Sequence, residues 1–144
     1  MLARAPASDA SHCLIMLDID YFKGINDTRG HVMGYRVIQA LAEMVRECVS
    51  DPDYSPARYG GDEFAILLPN STIESSLRLA ETVRQRVKAM TIRDRRTKNV
   101  VQTITISAGV AAIRRGDDAA SLIGRADAAL YKSKHAGRDC VSCE

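Results

Sequence analysis

The stretch Arg58-Tyr59-Gly60-Gly61-Asp62-Glu63-Phe64-Ala65-Ile66-Leu67-Leu68-Pro69 leaves few folds open to this chain. It predicts a tight β-hairpin, with a short strand at about Ala57–Tyr59 and an apolar strand at Phe64–Leu68. Adjacent glycines permit the positive φ that short hairpin turns demand. They also leave room for another molecule to lie against the backbone. Asp62 and Glu63 stand at the mouth of a buried strand, where a carboxylate must be solvated, paired or bound to a cation. A Gly-Asp turn taken alone needs no function, so the rest of the chain decides its meaning.

Cys13–Leu17 is a continuous apolar run that ends in Asp18-Ile19-Asp20. That pattern predicts a central strand buried on both faces. Tyr21–Thr28 reads as a short helical turn ending near Gly30. Met33–Val49 is an amphipathic helix with Val37, Leu41, Met44, Val45 and Cys48 on one stripe. Ser50–Pro56 is turn chemistry. Ser71-x-x-Glu74 is a capping box, opening a helix whose core face is Ile73, Leu77, Ala80, Val83, Val87 and Met90. Arg93–Lys98 is a polar, basic hairpin tip. Gln102–Ile113 holds a strand in which Ile104, Ile106, Ala108 and Val110 alternate inward. Asp117 or Asp118 starts a last helix with Leu122, Ile123, Ala126, Ala129 and Leu130 inward and Gly137 as its cap. Arg138–Ser142 returns as a short strand. The expected fold is α+β, helices on a mostly antiparallel sheet. Pairing the first strand with the hairpin would bring Asp18 beside Asp62 and Glu63.

The bulk properties fit one globular domain. The chain has 144 residues, 46% hydrophobic and 26% charged, enough for a core. Met1–His12 reads as a flexible lead-in and residues 13–144 as the domain. A net charge of +2 with no Trp gives neither the field nor the stacking platforms of a nucleic-acid binder. No apolar run approaches a membrane span, so no membrane contact is expected from this segment. No apolar signal core opens the chain. The four cysteines, Cys13, Cys48, Cys140 and Cys143, form no framework, and a reducing cytoplasmic location is expected. Cys140 and Cys143 are spaced like a redox or zinc pair, but on a strand they point to opposite faces.

Carboxylates at the edge of a buried strand suit a hard cation such as Mg²⁺. The exposed amides of the following helical turn suit phosphate. Lys134 and Arg138 add positive charge from the far end of the chain. Acid, metal and phosphate clamp together are the kit of phosphoryl or nucleotidyl transfer.

Four blocks carry a family resemblance: Leu17–His31, Arg58–Pro69, Thr105–Val110 and Ala126–Arg138. In order and spacing they resemble the signature blocks of the GGDEF domains, the diguanylate cyclases of bacterial signalling. The resemblance implies a nucleotidyl-cyclase fold related to the polymerase palm. It implies condensation of two GTP into cyclic di-GMP and two pyrophosphates, by a homodimer holding one GTP per subunit. It also implies an upstream sensor or dimerisation domain in a longer protein. By position, Asp18, the Ile19 carbonyl and Asp62 would hold Mg²⁺ or Mn²⁺. Asp62 is also a candidate base for the attacking hydroxyl, and Glu63 would support the metal site. Gly60 and Gly61 would make space for the nucleotide. The amides of Tyr21, Phe22 and Lys23, with Lys134 and Arg138, would hold phosphates. Asn26 would bond guanine, with His31 nearby.

Three departures from the family pattern stand out. Tyr35 replaces the Asp that meets guanine. Asp51 and Tyr54 stand where an inhibitory Arg-x-x-Asp site would begin and end, so no inhibitory site is expected. Met1–His12 lacks the helix that normally precedes the first strand, as in a fragment of a longer sensor protein. Asp139 also replaces the usual Asn after Arg138. Two alternatives follow: a degenerate domain that binds nucleotide or a protein partner without turnover, and a cyclase of altered base selectivity.

Overall fold

The computed structural model describes residues 11–93 and 100–144; most of the expected basic hairpin tip and of the lead-in lies outside them. The strand β1, Cys13–Ile19, is buried along its whole length. Its side chains alternate between two cores, as the period of a strand requires. Cys13, Ile15, Leu17 and Ile19 enter one core with the helices α2 (His31–Cys48) and α3 (Ile73–Ala89). Leu14 and Met16 enter a second core with the helix α4, Ala119–His135. The sheet is thus sandwiched between helical layers.

The strands β2 (Ser55–Gly60), β3 (Glu63–Leu68), β6 (Ile106–Ala112) and β7 (Val141–Cys143) complete the order β2-β3-β1-β6-β7. All pairs are antiparallel except β6 with β7. A second small sheet pairs β4 (Ile92–Arg93) with β5 (Val100–Gln102). The expected α+β architecture is present. So is the expected neighbour relation: β1 pairs β3 with Asp18 opposite Glu63, and pairs β6 with Asp18 opposite Ser107.

Several boundaries move, each for a local reason. Ser55 and Pro56, expected in a turn, belong to β2. That strand lies at the edge of the sheet, where a proline's missing N–H is tolerated. The helix expected from Met33 begins at His31, because Gly30, at φ 88°, breaks the chain immediately after the short helix α1, Phe22–Arg29. The capping box of α3 is built on Thr72 and Ser75, not Ser71 and Glu74. Thr72 Oγ1 accepts from the Ser75 amide at 3.0 Å and Ser75 Oγ from the Thr72 amide at 3.2 Å. Ser71 donates instead to the Leu68 carbonyl at 2.7 Å. On the core face of α3, Ile73, Leu77 and Met90 are only partly covered. Ser76 is buried there, its hydroxyl satisfied by the Thr72 carbonyl at 2.8 Å.

Asp118 is the N-cap of α4, and its side chain accepts from the Ser121 amide. At the other end Gly137, at φ 108°, turns the chain. The Arg138 amide then donates back to the Ser133 carbonyl at 3.0 Å, a Schellman closure. Ser11 and His12, the last residues of the expected lead-in, are tied to the segments that follow β3 and β6. The Ser71 amide donates to the Ser11 carbonyl and the Ile113 amide to the His12 carbonyl.

α4 lies directly on β6 at Gly109. A Cβ there would meet the Leu130 nitrogen at 2.1 Å and the Ala126 oxygen at 2.4 Å, both backbone atoms that cannot step aside. Gly109→Ala is therefore expected to destabilise the domain by about 3 kcal/mol through overpacking. Gly124, inside α4 with open space around it, gives the contrast: Gly124→Ala should stabilise by about 0.5–1 kcal/mol. Denaturant unfolding of both variants checks the pair. Equal effects would mean that α4 does not seat on Gly109 as described.

Candidate active site

The end of β1, the tip of the β2–β3 hairpin and the last turns of α4 meet at one corner. Asp18 is on β1 and only 4% exposed. Being two residues on from Met16, it falls on the α4 side of the sheet. Lys134 of α4 forms an ion pair with its Oδ2. Its Oδ1 is buried without a hydrogen-bond partner. The hairpin is held against β1 by the Ile19 amide, which reaches the Asp62 carbonyl at 3.4 Å. Arg58 Nε donates to the Gly61 carbonyl at 2.8 Å and braces the turn. Gly61 is at φ 41°, and side chains at Gly60 or Gly61 would meet nothing; the space above the turn is open.

Charge is concentrated here. Burial pushes the Asp18 carboxyl up from its ordinary value, and the neighbouring Asp62 and Asp20 charges add to this; Lys134 opposes it. Burial likewise pushes Glu63 up, helped by the charges of Asp127 and Asp18. Burial opposes the charge on Lys134, but its hydrogen bond and attraction to Asp18 outweigh that and hold its proton more firmly than usual.

Among the described residues no three His, Cys, Asp or Glu side chains converge into a ready metal cage. The donor set nevertheless fits a hard cation. It offers a buried carboxylate oxygen with no partner, a second carboxylate nearby and backbone oxygens at a strand end. Mg²⁺ keeps several waters and takes only one or two protein carboxylates beside substrate phosphates.

The first turn of α1 faces the same end of the sheet. Tyr21 precedes it at φ 57°, and no side chain caps the helix. The amides of the first turn, Phe22 and Lys23 among them, thus lack intrahelical acceptors. Arg138 lies over the Tyr21 ring, its guanidinium carbon 4.7 Å from the centroid. Lys23 itself is exposed beside Asp27. Asn26 is half-buried against α2, its Oδ1 only 1.8 Å from where a Cβ at Gly34 would stand; glycine is what lets the two helices close there. His31 is the exposed first residue of α2. Tyr35 is 61% exposed and lines an open groove between α2 and β2 with Ile38, Ala42, Pro56 and Arg58.

Sequence reasoning missed Asp127, two helical turns before Lys134, whose charge bears on Glu63. The seven-residue spacing on one helix was the available signal. It also missed the use of Asp20. That carboxylate accepts from Ser107 Oγ at 2.6 Å, Thr105 Oγ1 at 2.7 Å and the Asp139 amide at 3.0 Å. Its oxygens are committed to these three donors, though its charge still bears on Asp18.

The raised carboxyl of Glu63 gives a pH test. A carboxyl that holds its proton more firmly when folded stabilises the fold below the unfolded value. That contribution is lost as pH rises through the folded value. Gln at this position carries no charge to bury. The melting temperature of Glu63→Gln minus that of the natural chain should therefore rise between about pH 4 and about pH 8. A difference that is flat or falls over that range would show that Glu63 is not held up by its surroundings.

A family profile described as "Diguanylate cyclase, GGDEF domain" matches residues 1–140. Diguanylate cyclase VdcA of Vibrio cholerae is 43% identical over 128 residues, which is 89% of this chain and 38% of VdcA. The solved GGDEF domain of DgcB from Caulobacter crescentus, in complex with c-di-GMP, superposes with a TM-score of 0.89 at 39% identity, covering 93% of this chain and 78% of that one. The active GGEEF domain of a diguanylate cyclase from Vibrio cholerae gives 0.83 at 36% identity, covering 93% and 83%. The chain spans less than two fifths of the curated relatives VdcA, diguanylate cyclase A of Treponema denticola and DgcP of Pseudomonas aeruginosa. With its mixed sheet, its hairpin and its acidic corner, this chain belongs to the GGDEF domain family.

Proposed function

We propose that this domain is a diguanylate cyclase that condenses two GTP into cyclic di-GMP. The observation that carries the reading is the buried, half-unpartnered carboxylate of Asp18 in register with the Gly60-Gly61-Asp62-Glu63 turn. Asp18, the Ile19 carbonyl and Asp62 would hold a divalent cation, Mg²⁺ or Mn²⁺, with Glu63 supporting the site. When bound, such an ion neutralises phosphate charge and eases deprotonation of a hydroxyl. Lys134 holds the Asp18 carboxylate in the domain as it stands; with a triphosphate present, its ammonium is free to turn to phosphate oxygens. The amides of Tyr21, Phe22 and Lys23 and the guanidinium of Arg138 would grip the remaining phosphates. Gly60 and Gly61 keep the floor under the nucleotide clear.

The reaction needs two such sites face to face. The 3′-hydroxyl of one GTP forms a bond to the α-phosphorus of the other. The bond from that phosphorus to the bridging oxygen breaks, and pyrophosphate leaves with its electron pair. Asp62 is placed in the reading as the group that takes the hydroxyl proton. Repetition in the opposite sense closes the ring. One chain with one site cannot do this, so catalysis requires a homodimer. Dimerisation by a sensor or coiled segment elsewhere in a longer chain fits the greater length of the relatives. No helix among the described residues is long and apolar enough to cross a membrane, and the site is assigned to the cytoplasm, where GTP is found.

Tyr35 favours a second reading, altered base choice or binding without turnover. A phenol accepts a hydrogen bond but cannot take two parallel N–H donors as a carboxylate does. An unmatched buried donor weakens binding by about ten- to a hundredfold. Asn26 and, nearby, His31 would be left to recognise the base.

One experiment separates these readings. The domain, dimerised through a fused helix at its N-terminus, is given GTP, ATP or both with Mg²⁺ or Mn²⁺, and products are identified by mass. Cyclic di-GMP should form, faster than linearly with concentration in the unfused chain. Asp62→Asn should slow it by about a hundredfold or more. Tyr35→Asp should sharpen the preference for GTP. Mixed or adenine products would move the assignment to altered base choice. No cyclic product under any condition would leave only the non-catalytic reading.

A further inference from the structure

We propose that Asp20 and Asp139 form a latch that sets Arg138 against the start of α1, and so positions the phosphate grip without touching the substrate. The inference rests on the nucleotide-binding reading above and adds positioning residues to it.

Two segments come together here, each with the backbone in the left-handed region. On one side Tyr21 is at φ 57°. On the other, Gly137, Arg138 and Asp139 follow one another at φ 108°, 65° and 48°. Residues other than glycine hold such conformations only where the surroundings over-determine them. The constraints are present and mutual. Asp20, immediately before Tyr21, is 4% exposed. Its Oδ2 accepts the Asp139 amide at 3.0 Å. Thr105 Oγ1 at 2.7 Å and Ser107 Oγ at 2.6 Å fix the same carboxylate to the entry of β6. The Asp20 amide donates to the Thr105 carbonyl at 2.9 Å, so backbone and side chain of Asp20 are both pinned.

Asp139 is pinned from its far side by α3. Its Oδ1 meets Arg84 Nη1 at 2.7 Å and its Oδ2 meets Lys88 Nζ at 2.6 Å. Arg84 is itself held by Glu81, one helical turn earlier on the same helix, at 2.6 Å. Arg84 and Lys88 are four residues apart and so share a face of α3. Asp139 therefore bridges α3 to Asp20. Between the two aspartates hang the groups that matter: the Tyr21 ring and the Arg138 guanidinium, 4.7 Å apart. A shift of the 137–139 turn would carry Arg138 away from the amides of α1. Arg84 and Lys88 thus bear on the phosphate grip from outside it.

The latch makes a prediction that plain structural support does not. In Asp20→Asn an N–H group replaces one of two acceptor oxygens that now face three donors, so the Asp139 amide loses its partner or gains a competing donor. Binding is measured by calorimetry with 3′-deoxy-GTP, which lacks the attacking hydroxyl, and with 3′-deoxyguanosine, which lacks the phosphates. Asp20→Asn should weaken 3′-deoxy-GTP binding about tenfold, as loss of one well-placed charged contact does, and leave 3′-deoxyguanosine binding unchanged. In an Arg138→Ala background Asp20→Asn should change little further, because its effect runs through Arg138. Arg84→Met, far from the nucleotide, should reproduce the selective loss in milder form, and keeps the proposal testable if Asp20→Asn does not fold. Additive losses from Asp20 and Arg138, or equal loss with the nucleoside, would overturn the latch while nucleotide binding stands. No binding of 3′-deoxy-GTP by the natural chain would overturn the nucleotide-binding reading, and the latch with it.

Discussion

Asp18 is carried into the protein by the strand it ends. The seven residues of β1 are buried on both faces, and Asp18 near its end is left only 4% exposed. A carboxylate so placed is expensive unless paired. Lys134 satisfies one oxygen and nothing satisfies the other. The hairpin adds Asp62 and Glu63 to the same corner, and α4 adds Asp127. Burial raises the Asp18 and Glu63 carboxyls, and repulsion among these groups adds to it. The fold concentrates negative charge where a cation would relieve it.

Much of this was legible in the residues. Period two and period 3.6 predicted the main elements, and the apolar run before Asp18 predicted a central strand. The sequence offered that strand and the hairpin as neighbours; the register that sets Asp18 opposite Glu63 comes from the structure. What escaped were features set by particular side-chain hydrogen bonds. Asp20 resembles Asp18 in sequence, two residues on in the same acidic run. Only the tertiary structure shows its oxygens turned to Thr105, Ser107 and Asp139. Thr72 displaced Ser71 as helix cap because Ser71 spends its hydroxyl on the Leu68 carbonyl. No periodic pattern announces either choice. Ser55 and Pro56 were misassigned because their turn propensity is real, and edge position overrides it.

The two ends of the chain's active corner are built differently. The hairpin side is open, with glycines over which nothing packs. The side formed by Tyr21 and the 137–139 turn is over-constrained, with consecutive left-handed residues held by buried and charged partners. Open space suits entry of a nucleotide, and rigid donors suit recognition of its charge without reorganisation. Tyr35 stands apart from both. It is exposed on α2 beside the groove to β2.

The central claim is that Asp18, Ile19 and Asp62 together hold the divalent cation. Paramagnetic broadening by Mn²⁺ tests it most directly. Mn²⁺ is titrated into the nitrogen-15-labelled domain with 3′-deoxy-GTP bound, and backbone amide signals are followed. The signals of Asp18, Ile19, Asp62 and Glu63 should broaden first, and Asp18→Asn should abolish that order. Broadening centred elsewhere, on the Asp51–Asp53 loop or on Glu144, would contradict the account.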